Sequence, residues 1–162
     1  MKTVIAIIGN SCIGKSTIAR ILSENTGFPV YDIQQYYDKV DGVGHSKELK
    51  AWDLLGNAIK NCHYAILESS GLTDEEQTIY KLFDKRLIVK LIHTNTFMLV
   101  QRYKEKLSRM EFPLEIMQSG HLYDLIRMRA KIYEKLESDL VFDVQKIGAE
   151  NIAKEIELKI SL

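Results

Sequence analysis

Near its amino terminus the chain reads Gly9-Asn10-Ser11-Cys12-Ile13-Gly14-Lys15-Ser16-Thr17, directly after the apolar run Val4–Ile8. This segment fits the phosphate-binding pattern G-x-x-x-x-G-K-[ST] at every fixed position. A loop that wraps a polyanion must turn its backbone N–H groups inward, and glycine permits the dihedral angles and the close approach that this requires. The segment also follows a strand-like run and opens an amphipathic helix, which is the context that the pattern demands. It therefore predicts a phosphate-binding loop, or P-loop, between a strand and a helix.

The residues of this loop have separate expected tasks. We expect Lys15 to reach the β and γ phosphates of ATP and the Ser16 hydroxyl to bind Mg²⁺. The helix that begins near Lys15 adds the positive end of its dipole. Cys12 could be a redox-sensitive thiol, because positive potential stabilises a thiolate, or simply a small residue at an unconstrained position. We favour the second interpretation of Cys12.

Length and composition describe an ordinary globular chain. Its 162 residues suit one domain over residues 1–162, and 46% of them are apolar, which is enough for a core. The 22 Lys and Arg residues balance 22 Asp and Glu residues, so charge predicts no nucleic-acid or membrane partner. There is no run of ~18 apolar residues, no secretory signal pattern and no disulfide framework. We expect a cytoplasmic protein that is a monomer or a homodimer.

Short apolar runs alternate with helical patterns, which is typical of a parallel sheet covered on both faces. The candidate strands are Val4–Ile8, Pro29–Tyr31, Tyr64–Leu67, Leu87–Ile92 and Leu140–Phe142. Thr94 is a candidate cap for the helix that carries Leu99, Tyr103 and Leu107, and a longer helical pattern runs from about Gly120 to Glu137. Residues 41–46 and 108–118 are predicted loops. The expected fold class is a three-layer α/β/α arrangement around a five-stranded parallel sheet.

Two carboxylates follow predicted strands, at the edge where ligands bind in open α/β sheets. Asp32 could hold Mg²⁺ through water or accept the proton of an attacking hydroxyl, and a helix cap is the plainer alternative. Glu68 precedes Ser69-Ser70-Gly71; it could order the water shell of the metal, contact the substrate, or simply be a solvated strand end. The Ser69-Ser70-Gly71 backbone could line the same pocket.

Three arginines are candidates for anion binding. Arg129 lies within the apolar arc formed by Leu122, Leu125, Ile126, Ile132, Tyr133 and Leu136 on the long helix, at roughly 100° per residue. A guanidinium on an inward face needs an anionic partner, which is either a structural carboxylate or a substrate. Arg102 and Arg109 could close over the transferred phosphate and neutralise its charge.

These positions together resemble the shikimate kinase group of P-loop kinases, within the nucleoside monophosphate kinase-like fold. The stretch Phe28-Pro29-Val30-Tyr31-Asp32 is similar to the segment that carries that family's aspartate, and Arg102 and Arg109 resemble its lid arginines. The stretch Arg129-Ala130-Lys131-Ile132-Tyr133 is similar to its R-x-x-x-Y signature, whose arginine holds the substrate carboxylate. The resemblance implies an ATP site at Gly9–Thr17, which Arg102 would join, a lid at about 108–118 and an acceptor-binding region at about 32–60. It also implies that Asp32 orients or deprotonates the acceptor hydroxyl.

The departures from that family fall on the acceptor side. Gln34 stands where shikimate kinases carry a second aspartate, Ser69-Ser70-Gly71 replaces a glycine triplet, and the second helical region has no arginine. The ATP side is spared, which indicates a remodelled acceptor site. Its candidate residues are Asp32, Gln34, Glu68, Ser69, Ser70, Gly71 and Arg129.

The sequence thus predicts an enzyme that moves the γ-phosphate of ATP-Mg to a hydroxyl or phosphate of a small metabolite or nucleotide. Lys15, Asp32 and Arg109 are the candidate catalytic residues, and Ser16 and Asp32 are the candidate metal ligands. Two alternatives stay open, a P-loop ATPase switch and a non-catalytic nucleotide-binding module. The N-K-x-D pattern of guanine specificity is absent from the sequence.

Overall fold

The computed structural model describes residues 1–109 and 120–161 of the chain. Its centre is a five-stranded sheet in which the strands are ordered β2-β3-β1-β4-β5 and every pair is parallel. The strands are β1 (Thr3–Gly9), β2 (Val30–Asp32), β3 (Tyr64–Ser69), β4 (Lys85–Ile92) and β5 (Leu140–Asp143). The predicted α/β class, the five strands and their parallel arrangement are confirmed.

Helices connect successive strands, as parallel pairing requires. Their bounds are α1 (Lys15–Thr26), α2 (Ile33–Tyr37), α3 (Gly44–Ile59), α4 (Asp74–Tyr80), α5 (Thr96–Arg109), α6 (His121–Lys135) and α7 (Ala149–Ser161). None of the described helices is both long enough and apolar enough to cross a lipid bilayer.

Each face of the sheet has its own apolar core. Strand β1 is buried at all of its positions because helices cover both of its faces. Ile5 and Ile7 pack toward α1, α5, α6 and α7, whereas Val4, Ala6 and Ile8 pack toward α3 and α4. Alternate side chains of β1 therefore belong to the two cores, one on each face of the sheet.

Several local expectations were wrong. Helix α3 begins at Gly44, so the predicted loop at 41–46 is shorter, and α4 was not expected at all. The cap of α5 is Asn95 rather than Thr94: Asn95 Oδ1 accepts a hydrogen bond from Met98 N at 3.1 Å, whereas Thr94 N donates to Gln145 Oε1. Ser108 lies inside α5, and residues 110–118 of the predicted lid lie outside the described residues.

Candidate active site

The predicted phosphate-binding loop connects the end of β1 to the start of α1, as the sequence indicated. Lys15 opens α1, and its Nζ donates to Gly9 O at 2.7 Å and to Asn10 O at 3.0 Å. The loop therefore closes on itself around the lysine. The N–H groups of the first turn of α1 have no partners within the helix and are free to meet an anion.

Gly9 is required by close packing against β4. A Cβ atom at this position would lie 3.0 Å from Leu91 O and 3.1 Å from the Ile13 side chain, and the backbone φ is +155°. Any larger residue would push the loop away from the sheet. This explains why the first fixed position of the motif must be glycine in this chain.

Helix α6 holds the loop from the other side. Asn10 Nδ2 donates to Ile126 O at 2.9 Å, and the Tyr133 hydroxyl lies 2.9 Å from Gly9 O. The same hydroxyl is also within hydrogen-bond distance of Ser70 O, so one phenolic proton is shared between two carbonyl groups. Tyr133 thus ties the phosphate loop to the turn that follows β3.

Lys90 fixes the end of α6 that carries Tyr133. This lysine of β4 is only 6% exposed, and its Nζ donates to Tyr133 O at 2.7 Å and to Leu136 O at 2.8 Å. These carbonyl groups lie at the carboxyl end of the helix, where a cation is favoured by the helix dipole. The buried charge is therefore explained by a structural role.

Glu68 lies directly beside the predicted metal ligand. The Ser16 hydroxyl donates a hydrogen bond to Glu68 Oε1. Burial raises the pKa of Glu68, and the hydrogen bond from Ser16 acts in the opposite direction. Asp32 of β2 is paired in register with Glu68 of β3, so the two carboxylates lie on adjacent strands at one edge of the sheet. Ser16, Glu68 and Asp32 thus form one oxygen-rich corner.

Asp32 also has the plainer role that the sequence left open. Its Oδ1 accepts a hydrogen bond from Gln34 N at 2.9 Å and caps α2. Of its two carboxylate oxygens only Oδ1 is engaged by the described part of the chain. The cap holds the side chain in place and leaves Oδ2 available for a ligand.

The turn after β3 is held by a buried carboxylate that sequence reasoning missed. Glu76 is 1% exposed and accepts hydrogen bonds from Ser69 Oγ and Gly71 N, each at 2.9 Å, and from Tyr80 Oη at 3.2 Å. Burial raises its pKa, and these hydrogen bonds oppose the shift. The three consecutive acidic residues Asp74-Glu75-Glu76 give no sign of which carboxylate is buried, so only the fold could identify it.

A cleft of about 800 Å³ opens above these elements, at the carboxyl ends of β1, β2 and β3. This is where the order of the strands places the topological switch point of the sheet. Most of the predicted site residues line it: Ser11, Cys12, Gly14, Lys15, Ser16, Thr17, Asp32, Gln34, Glu68, Ser69, Ser70, Arg109 and Arg129. The cleft thus joins the predicted nucleotide-binding and acceptor-binding residues in one space.

Some predicted residues do not line this cleft. Gly9 supports the loop from beneath, and Asn10 and Ile13 face a separate cavity of about 300 Å³ beside α6. Gly71, at φ +77°, is packed so closely on β1 that a Cβ atom would lie 2.8 Å from Ile8 Cβ. Arg102 does not line the cleft, and its charge adds to burial in lowering the pKa of His93. Contact of Gly71 with a substrate is therefore not supported by its position.

Four further side chains line the cleft although the sequence did not single them out. Ile33 and Tyr37 come from α2, and Tyr103 and Lys106 come from α5. Lys106 precedes Arg109 by three residues, a spacing that places the two side chains next to one another on the helix, and this is a signal that could have found it. The pKa of Tyr37 is raised to about 12, first by burial and then by the nearby carboxylate of Glu48.

The charge of Lys15 is influenced by burial and by two nearby carboxylates. Burial lowers the pKa of Lys15 to about 8, and the carboxylates of Glu68 and Asp32 act against that shift. A nearby anion favours the charged form of a lysine, so a phosphate ligand in the cleft would raise this pKa.

Arg129 reaches the cleft from α6, and its Nη1 lies 3.4 Å from Ser11 Oγ. It forms no ion pair with a carboxylate among residues 1–109 and 120–161. Of the two partners that the sequence left open, an anionic ligand is favoured by this position. The expected apolar arc was partly wrong, since Ile132 is 43% exposed.

The donor set fits Mg²⁺. A hydroxyl and a carboxylate are hard oxygen ligands, and Mg²⁺ usually takes few protein ligands and shares substrate phosphates. In the described ranges there is no group of three or more His, Cys, Asp or Glu side chains arranged for a metal ion. The corner of Ser16 and Glu68 therefore suits a metal that arrives with a nucleotide.

Solved structures of two kinases and of one nucleotide-bound protein are among those similar to this chain. A shikimate kinase from Acinetobacter baumannii, determined in complex with shikimate, is 18% identical with a TM-score of 0.71, over 99% of this chain and 93% of the other. A gluconokinase from Sinorhizobium meliloti 1021 is 14% identical with a TM-score of 0.62, over 97% of each chain. The YorR protein from Bacillus subtilis, in complex with phosphorylated GDP, is 16% identical with a TM-score of 0.61, over 98% of this chain and 96% of the other.

Comparisons of the sequence alone identify no relatives. No protein-family model matches the chain, and no curated protein sequence matches it significantly. At these identities the structural likeness establishes the fold. It covers nearly the whole chain and agrees with the parallel sheet, the loop after β1 and the cleft at the carboxyl edge. The chain therefore has the shikimate kinase-type, nucleoside monophosphate kinase-like fold of P-loop NTPases.

Proposed function

We propose that this protein is an ATP-dependent kinase that transfers the γ-phosphate of ATP-Mg to a hydroxyl or phosphate oxygen of a small molecule. One observation carries the proposal: Lys15, Ser16 and Glu68 meet Asp32 and Arg129 in a single cleft. The fold that the chain shares with shikimate kinase and gluconokinase structures supports this assignment.

The loop from Gly9 to Thr17 binds the triphosphate. Its backbone N–H groups and the amino end of α1 face the phosphates, and Lys15 exchanges its hydrogen bonds to Gly9 O and Asn10 O for phosphate oxygens. Ser16 and Glu68 would hold Mg²⁺, with Asp32 reaching the metal through water. The metal, when bound, neutralises charge on the β and γ phosphates.

The remaining residues position the acceptor. Asp32 Oδ2 accepts the proton of the attacking hydroxyl, whose oxygen forms the new bond to the γ phosphorus. The bond from that phosphorus to the β–γ bridging oxygen breaks, and its electron pair leaves with ADP. Gln34, Ser69 and Ser70 orient the acceptor, Arg129 binds an anionic group on it, and Arg109 neutralises charge on the group in transfer.

Asp32 and Glu68 line the cleft and supply its carboxylates. Phosphoryl transfer asks for little covalent chemistry from the protein and depends chiefly on alignment and charge neutralisation. The departures at Gln34 and at Ser69-Ser70-Gly71 favour an acceptor other than shikimate.

The test is a screen of ATP consumption by the purified protein against hydroxylated metabolites and nucleoside monophosphates. We expect one acceptor to raise ATP turnover well above the slow hydrolysis by water. Slow hydrolysis that ignores each acceptor but responds to a protein or a nucleic acid would support an ATPase switch instead. Tight binding of ATP with no turnover would support a non-catalytic module.

A further inference from the structure

A second cavity lies beside α6 and is separate from the cleft. It has a volume of about 300 Å³, and no described residue lines both spaces. Asn10 and Ile13 line the cavity, whereas Ser11, Cys12 and Gly14 line the cleft. The phosphate-binding loop therefore forms a wall between two spaces, and the proposed kinase reaction uses only one of them.

Part of the cavity wall is apolar. Ile13, Leu91 and Leu99 line it, and each of them also belongs to the buried core on that face of the sheet. Ala130 of α6 adds a further apolar side chain. A volume of about 300 Å³ is at the lower end of the roughly 300–1,000 Å³ of small-molecule sites. The cavity therefore suits the apolar body of a small ligand.

His93 supplies a hydrogen-bond donor to this cavity, which its side chain lines. The residue is 8% exposed, and its Nδ1 accepts a hydrogen bond from Asn95 N at 3.0 Å. Nδ1 therefore carries no proton, and the proton of the neutral ring is on Nε2 at the far side of the imidazole. Nε2 has no hydrogen-bond partner among the described residues, where the sealed and unpaired side-chain nitrogen is that of Trp52. His93 Nε2 is thus open to the space that the ring lines.

The charges around the cavity favour an anion. Arg127 and Lys131 of α6 both line it and are four residues apart, so they are neighbours on the helix surface. Neither forms an ion pair with a carboxylate in residues 1–109 and 120–161. Thr96, the first residue of α5, also lines the cavity and brings the positive end of that helix dipole to it. These groups face one carboxylate of the described lining, that of Glu134.

We propose that this cavity is a binding site for a small organic anion. Its apolar body packs against Leu91 and Leu99, and its charged group accepts a hydrogen bond from His93 Nε2 beside Arg127 and Lys131. An inorganic anion would leave the apolar wall in contact with water, so a ligand that combines an apolar body with an acidic group is favoured. The inference does not depend on the proposed kinase reaction, which occurs in the other space.

Binding is tested with benzoate, which has one aromatic ring and one acidic group. Benzamide is the matched neutral ligand, and inorganic phosphate is the anion without an apolar body. Each is titrated into the ¹⁵N-labelled protein while the imidazole nitrogen signals of His93 are followed by NMR. We expect benzoate to shift the Nε2 signal in a saturable way and to bind about tenfold more tightly than benzamide, because only benzoate forms a charge-assisted hydrogen bond.

Two substitutions of His93 separate the roles of its two nitrogens. His93→Asn keeps an acceptor for Asn95 N but removes the donor to the cavity, whereas His93→Gln keeps a donor close to the position of Nε2. The backbone amide signals of Asn95 and Thr96 report binding in both variants. We expect His93→Asn to weaken benzoate binding about tenfold and His93→Gln to weaken it less.

The cations are tested by Lys131→Gln, an exposed position where the substitution leaves the core intact. We expect it to weaken benzoate binding about fivefold, because an ion pair at a solvated cavity mouth contributes modestly. Lys135→Gln is the matched control, since Lys135 is exposed on the same helix and does not line the cavity.

A saturable shift at His93 that Lys131→Gln weakens and Lys135→Gln retains supports the inference. The absence of a saturable shift, equal affinity for benzamide, or unchanged affinity in Lys131→Gln overturns it. A loss of benzoate binding in Arg129→Ala without a loss in Lys131→Gln would place the ligand in the cleft and also overturn it. Since Lys131 is exposed, these outcomes stay decisive even if His93→Asn does not fold.

Discussion

The two halves of the cleft are built in different ways. The proposed nucleotide half is one continuous segment, Gly9–Thr17, which Lys15 closes and to which α6 bonds through Tyr133. The proposed acceptor half is assembled from the ends of β2 and β3 and from α2 and α6, so Asp32, Ser70 and Arg129 meet only after folding. The first surface depends on a local sequence pattern and the second on tertiary packing, so substitutions in the two should have separate effects.

Loss of the central cation of the nucleotide half has the largest expected effect. We expect Lys15→Met to lower turnover by about a thousandfold, because the preorganised positive charge at the transferred phosphate is removed. Circular dichroism and thermal unfolding should show an intact fold. Turnover equal to that of the wild type would exclude Lys15 from the mechanism.

Loss of Arg129, the cation of the proposed acceptor half, should weaken binding of the acceptor rather than of ATP. We expect Arg129→Ala to raise the KM for an anionic acceptor by roughly 10- to 100-fold while the ATP affinity changes little. Lys135→Ala, at an exposed position on the same helix, is the control for the loss of a charge. An equal loss for both substrates, or unfolding of Arg129→Ala, would assign this arginine to structure.

The Tyr133 hydroxyl bonds to both halves of the cleft, and the substitution Tyr133→Phe removes this hydroxyl alone. Tyr133→Phe leaves the ring in place but takes the proton from Gly9 O and Ser70 O, so we expect a loss of about 1–3 kcal/mol in the free energy of unfolding. Urea denaturation measures it, with Tyr123→Phe at an exposed position as control. A loss no larger than in that control would show that the shared hydrogen bond is not needed to hold the halves together.

The smallest expected effect concerns pH. Burial raises the pKa of Glu68 above its ordinary value of 4.5, so the folded protein binds this proton more tightly than the unfolded chain. That contribution to stability is full below pH 4.5 and is lost as the pH rises through the raised pKa. Over that window we expect the stability of the wild type to fall relative to Glu68→Gln.

Urea midpoints of the two proteins across pH measure this difference. Glu76 has a raised pKa as well, but it titrates in both proteins and cancels in the comparison. Glu155→Gln, at an exposed position on α7, controls for the loss of a charge. Parallel pH profiles for the wild type and Glu68→Gln would contradict the assignment.

Features that depend on local sequence could be predicted, whereas features that depend on tertiary packing could not. The strand, the loop and the start of α1 at Lys15 follow from local patterns, and these predictions agree with the structure. The buried Glu76 and the cleft-facing Lys106 depend on which helix face meets which strand, and this is settled by tertiary packing. The cap at Asn95 was missed because Thr94 and Asn95 are both good caps and only the helix start distinguishes them.

A single phenolic proton serves two carbonyl groups in this molecule, and it cannot be donated fully to both. A displacement of Gly9 O or Ser70 O changes the geometry of both bonds, so Tyr133 links the position of the loop after β1 to the position of the turn after β3.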